Sequence, residues 1–191
     1  MCEINGQKHE FNNETKNSEF TQSCFEWVES LVSALIVTIL VLTFIFKTVI
    51  VDGQSMENTL FDHERLIVSN ICSNLKNGDI VVIGPIWSLS EHVLIKRVIA
   101  VEGQTLDINF DTGKVTVDGV VLDEPYIKEI TRLREDGKIP KVIPKDFVFV
   151  MGDNRNHSID SRSSSLGLVH KNEVRAKAKL VIFPFNRIRA L

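Results

Sequence analysis

The sequence predicts a mainly β protein: an antiparallel β-sheet domain preceded by one transmembrane helix. Three observations carry this. Residues 30 to 46, "SLVSALIVTILVLTFIF", run for seventeen residues without a charge. Beyond Lys47 the pattern changes to short β-branched runs separated by turn residues. No internal repeat or low-complexity linker interrupts them.

The first 24 residues are polar, rich in Asn and Glu, and lack apolar periodicity, so they read as a disordered tail. Residues 1 to 30 hold two lysines against six glutamates, a local charge of −4. The apolar run, bounded by Glu29 and Lys47, makes roughly 26 Å of helix at 1.5 Å per residue, near the short limit for a bilayer. Phe25, Trp27 and Val28 can lengthen it at one interface and Lys47 can snorkel at the other, so residues 25 to 47 are taken as the span. A cleaved leader fits less well, because the flank is acidic and no A-x-A follows. A buried core helix would be unusually uniform.

Several classes are excluded by composition. A net charge of −3 gives no reason to expect nucleic acid. Of the cysteines Cys2, Cys24 and Cys72, only Cys72 lies beyond the apolar run, so no disulfide framework exists within the domain. No Cys/His spacing suits zinc, and no metal or cofactor is expected.

The remaining residues, 48 to 191, form the β domain. "KTVIV", "RLIVSN" and "NGDIVVIGP" are short strands between turns, and "HVLIKRVIAVEG" is a longer one. "LDINFDTGKVTVDG" reads as a hairpin turning at Asp111-Thr112-Gly113. It opens a small insertion, about 104 to 145, that continues as the polar "DEPYIKEITRLREDGKIPKVIP". "DFVFVMGDNR" is a strand running into a turn, and "AKAKLVIFPF" a last strand broken at Pro184.

Four segments carry unusual polar residues. "VDGQSMENTL" places Ser55 just beyond the apolar run. Most serines in such turns are structural, so Ser55 alone means little. "LIKRV" places Lys96 inside an apolar strand. Such a lysine usually points to solvent; turned inward, burial would disfavour its charge and let it serve a serine as base. "MGDNRNHSIDSR" packs Asp153, Asn154, Arg155, Ser158, Asp160 and Arg162 into one turn, either a solvated loop or a frame for a catalytic side chain. "NGDIVV" is a common strand-opening turn. His92 and His157 offer Ser55 a rival base, with less support.

In their order, "GQSMENTL", "GDIVVI", "IKRVIAVEG" and "GDNRNHSIDSR", these segments resemble the type I signal peptidase family, and "LVIFPFNRI" resembles its last strand. The likeness covers about residues 30 to 191. The Lys96–Arg97 pair marks the bacterial type, since archaeal and endoplasmic-reticulum relatives carry histidine at the lysine position. Gly53, two residues before Ser55, matches the Gram-positive branch. The resemblance implies Ser55 as nucleophile, Lys96 as general base, Ser158 as the hydroxyl orienting that lysine, and Asp160, Arg162 and Arg97 in support. It implies a serine–lysine endopeptidase that takes preprotein signal peptides as substrates and cuts after Ala-x-Ala. Gly53, Met56, Leu94 and Ile95 are expected at the substrate, with Met56 and Ile95 making shallow apolar pockets. It also implies a single-pass protein of the cytoplasmic membrane, with membrane lipid as partner, its N-terminus inside and its β domain outside. Two departures stand out: the proline usual in S-M-x-P-T-L is Asn58, and His170 stands where the family has proline. Trp87, in the apolar loop "GPIWSLSEH", is either a lipid-interface anchor or a core tryptophan.

Two other readings are kept. A self-cleaving repressor shares a serine–lysine pair on a related β fold, but residues 1 to 30 are too few and too acidic for its DNA-binding domain. A non-catalytic anchored binding module would not need both Ser55 and Lys96.

Overall fold

The computed structural model describes residues 25–40, 43, 46–70, 74–84 and 93–191. The expected tail at 1–24, all three cysteines and the loop holding Trp87 and His92 lie outside the described residues. The chain divides into two units, Met1–Phe44 and Ile45–Leu191.

In the first unit residues 25 to 40 are helical. Thr38 Oγ1 donates to the Ala34 carbonyl at 2.8 Å, satisfying a polar group that an apolar helix could not otherwise shelter. Phe25, Trp27, Leu31, Leu35, Ile36 and Ile39 are all exposed. Among the described residues no helix is long and apolar enough to cross a membrane, and the expected span is not shown.

The second unit is built from antiparallel strands. In chain order they are β1 (Phe46–Ile50), β2 (Arg65–Ser69), β3 (Ile80–Ile83), β4 (Leu94–Val101), β5 (Leu106–Asn109), β6 (Lys114–Val117), β7 (Val120–Val121), β8 (Phe147–Met151), β9 (Val169–His170), β10 (Val174–Phe183) and β11 (Arg189–Ala190). The main sheet has the order β1-β2-β10-β3-β4-β8-β9, with β11 also on β10. A separate sheet, β5-β6-β7, lies within the expected insertion.

Burial explains the pattern. β3, "IVVI", is buried throughout, and β4 is buried from Ile95 to Ala100. These are inner strands covered on both faces, hence their continuous apolar runs. β6 alternates because one of its faces meets water. The β5–β6 hairpin turns where the Asp-Thr-Gly sequence predicts: Gly113, at φ +74, donates its N–H to the Asn109 carbonyl at 2.7 Å. From 122 to 146 the chain forms no strand among the described residues, only a bridge from Val142 to Thr105. His170 Nδ1 accepts the Asn172 N–H, and its ring packs edge-on to Phe147.

One core cluster fixes the loop between β1 and β2. Val51, Met56 and Leu60, all from that loop, are buried with Leu66, Ile95 and Val181. Burying a side chain of this size contributes about 1.5–3 kcal/mol, so three anchors in ten residues hold the loop firmly. At its far end buried Glu64 takes both guanidinium arms of Arg189, at 3.1 and 2.9 Å. Arg189 also donates to the Thr59 carbonyl, which ties the C-terminal strand to the loop.

Candidate active site

Ser55 sits half-buried in a turn between two of those anchors. Its carbonyl accepts the Asn154 N–H at 3.0 Å, and the Gln54 carbonyl accepts Asn154 Nδ2 at 3.1 Å. One residue of the Gly-Asp-Asn-Arg turn thus clamps the serine turn across a hundred positions of sequence. Gly53 reaches φ +86, a conformation that favours glycine, and its N–H donates to Asp62 Oδ1. The Ser55 N–H donates to no backbone carbonyl among the described residues.

Lys96 points inward. It is 2% exposed, and its Nζ lies 2.6 Å from Ser55 Oγ. Burial is the main cause that pulls its pKa from 10.5 down to about 8; Asp160 and Asp153 pull the other way, and Arg162 adds to the lowering. Of the two histidines weighed as rival bases, His157 is exposed and His92 lies outside the described residues.

The two carboxylates that act most on Lys96, Asp160 and Asp153, are committed to arginines. Asp160 takes a two-armed pair from Arg162, at 2.9 and 2.8 Å, with both side chains fully buried. It also accepts the Gly152 N–H at 3.0 Å. Asp153 takes Arg97 in the same way, at 2.8 and 2.7 Å. Arg97 continues to the Gly78 carbonyl at 2.9 Å, which explains why "NGD" matters to the site. Such forked pairs are short and directional, and removing one partner of a buried pair typically costs about 3–5 kcal/mol. They serve as a frame that leaves Lys96 without a carboxylate of its own.

Sequence reasoning missed a third part of this frame, residues 124 to 131. Arg155 pairs with Glu124 at 2.6 Å and with Thr131 Oγ1 at 2.9 Å. Tyr126 lies under the Arg97 guanidinium, 4.0 Å from its ring centroid, and its hydroxyl donates to Glu124. Lys128 N donates to the Asp153 carbonyl at 3.0 Å. Tyr126 is the chain's single tyrosine, which was the one available cue.

The expected substrate residues are divided. Met56 and Ile95 are buried together in the core, at 1% and 6% exposure, so only Gly53 and half-buried Leu94 reach solvent. Ser158 is buried, and its Oγ has no hydrogen-bond partner among the described residues. It packs over Gly152: a Cβ there would come within 2.2 Å of Ser158 Oγ and 2.5 Å of the Ser55 carbonyl oxygen. Overpacking of this kind costs typically ~1–3 kcal/mol. Gly152→Ala is therefore expected to lower the Tm and to displace Ser55 from Lys96; an unchanged Tm in a thermal melt would contradict this packing.

Comparison with known proteins agrees with the geometry. Residues 24–183 match the family model "Signal peptidase, peptidase S26". "Signal peptidase I P" of Bacillus subtilis subsp. natto is 37% identical over 184 residues, covering 91% of this chain and 97% of that protein. "Signal peptidase I T" of Bacillus subtilis strain 168 is 36% identical over 188 residues, covering 93% and 95%. A family match across most of the chain, joined to relatives covered over nearly all of their length, places this chain in the peptidase S26 family of signal peptidases.

Proposed function

We propose that this chain is a membrane-anchored serine endopeptidase that removes signal peptides from exported preproteins by a Ser55–Lys96 dyad. The observation that carries the reading is the 2.6 Å contact between Ser55 Oγ and a buried lysine whose pKa is drawn down to about 8.

The chemistry follows from that contact. Neutral Lys96 Nζ takes the Ser55 proton as Oγ attacks the scissile carbonyl carbon. The Ser55 N–H, which donates to no backbone carbonyl among the described residues, would donate to the resulting oxyanion. Collapse breaks the C–N bond, and the Lys96 ammonium returns the proton to the leaving amine. A water then loses a proton to Lys96 and attacks the acyl-enzyme. The signal peptide leaves with a new carboxylate, and the serine is restored.

Strand edges suit an extended substrate. Leu94 to Lys96 pair with β3 on one side, while β8 joins β4 only from Arg97 onward. Among the described residues β1 pairs with β2 alone. A substrate strand added between these two edges would bring its carbonyl to Ser55. Gly53 and Leu94 would meet its side chains, while Met56 and Ile95 would floor the pockets from the core. Small residues at −1 and −3 fit such shallow walls.

The exposed apolar side chains of the helix at 25 to 40 support membrane anchoring, since such a surface is at home in lipid. Anchoring in the cytoplasmic membrane with the β domain outside would place the dyad beside emerging preproteins. The span would hold enzyme and substrate in one bilayer and raise the local concentration.

Cleavage of a preprotein carrying Ala-x-Ala by the detergent-solubilised protein, and its loss in Ser55→Ala, tests the function. Equal cleavage by both would refute it. Ser158 Oγ makes no hydrogen bond to Lys96 in the structure, so the orienting role requires the hydroxyl to turn toward the lysine. Ser158→Ala is then expected to lower turnover roughly 10–100-fold, as loss of an orienting hydrogen bond does at metal sites, with Tm unchanged. Wild-type turnover there would remove Ser158 from the mechanism. For orientation, a membrane-impermeant thiol reagent on intact cells should not reach Cys24; labelling of Cys24 would reverse the topology.

A further inference from the structure

The turn that carries Ser55 has an unusual centre. The Met56 carbonyl accepts two N–H groups, from Thr59 at 3.1 Å and Leu60 at 2.8 Å. Asn58 sits between them at φ +88. Left-handed backbone is costly for most residues, but asparagine tolerates it. Proline, with φ locked near −65°, cannot adopt it. The residue usual in the family at this position is therefore excluded by the turn this chain makes.

Asn58 also has partners. Its Nδ2 donates to the Tyr126 and Ile127 carbonyls, at 3.3 Å each. Beside it, Glu57 pairs with Lys128 Nζ at 2.6 Å. Residues 126 to 128 are themselves bonded to Asp153 through Lys128 N, and Asn154 returns to the Ser55 and Gln54 carbonyls. Three segments distant in sequence thus close a triangle around the nucleophile. Asn58 is the corner at which the serine turn meets the 126–128 segment.

We propose that Asn58 is a positioning residue for Ser55: its left-handed backbone and its amide, in place of a proline ring, set the nucleophile against Lys96. This rests on the dyad reading given above. The backbone is the larger part of the effect. A turn reversed three residues from Ser55 shifts the hydroxyl, and a misplacement of about 1 Å can cost ~100-fold in rate. The two amide bonds are exposed and long, so they add a smaller share.

The test compares Asn58→Pro, Asn58→Gly and Asn58→Ala in the full-length, detergent-solubilised protein, with Ser55→Ala as background. Glycine keeps the left-handed backbone and loses only the amide. It is expected to hold kcat within about threefold of wild type. Alanine should lose more. Proline should lower kcat at least ~10-fold with KM within about threefold, and lower the Tm by several degrees, because a ring incompatible with the native φ destabilises the fold. Wild-type kcat and Tm in Asn58→Pro would overturn the proposal. So would a loss in Asn58→Gly as large as in Asn58→Pro. If Ser55→Ala cleaves like wild type, the dyad reading fails, and the order of Tm values still judges the turn.

Discussion

The structure depends on one lysine being kept dry. Lys96 is 2% exposed on an inner strand, and burial is the first cause that draws its pKa to about 8. At pH 7 about one such lysine in ten is neutral, against roughly one in three thousand at the ordinary value. The two carboxylates that oppose this lowering most are held away from Lys96 by arginines. Asp160 and Asp153 are close enough to raise the pKa, yet each is held by an arginine fork. Arg162 even contributes to the lowering.

Those forks also set geometry. Arg97 joins β4 to the Asp153 turn, Arg162 closes that turn on itself, and Arg155 brings in Glu124 from a segment without strands. Buried ion pairs are weak contributors to net stability, because desolvation offsets their attraction. Their value here is directional. A fork fixes distance and orientation together, which a site needing a 2.6 Å serine–lysine contact requires.

How much was legible in the sequence follows from how local each signal was. The β-branched runs, the Asp-Thr-Gly hairpin and the polar "GDNR" turn were visible because each is encoded within a few residues. Ser55, Lys96, Asp160 and Arg162 stood out through motif order, and the structure brings Ser55 to Lys96 and Asp160 to Arg162. The role of residues 124 to 131 was not visible. Glu124, Tyr126 and Thr131 reach the site only after folding brings them 24 to 31 positions back to Arg155 and Arg97. The sign of φ at Asn58 is not written in its neighbours either, since asparagine is compatible with both hands. That Ile95 packs in the core beside Met56 was not legible either, since β4 is buried without alternation and its pattern does not say which face meets the core.

The central claim is that neutral Lys96 takes the Ser55 proton. It is tested most directly by kcat/KM as a function of pH for the wild type and Lys96→Arg. A lysine with its pKa lowered to about 8 is charged below that pH and neutral above it. Activity should therefore rise about tenfold per pH unit below 8 and level off above it. Guanidinium stays charged throughout, so Lys96→Arg should be inactive at every pH. Substantial cleavage by the arginine variant, or a wild-type profile flat between about pH 6 and 8, would mean that another group accepts the proton.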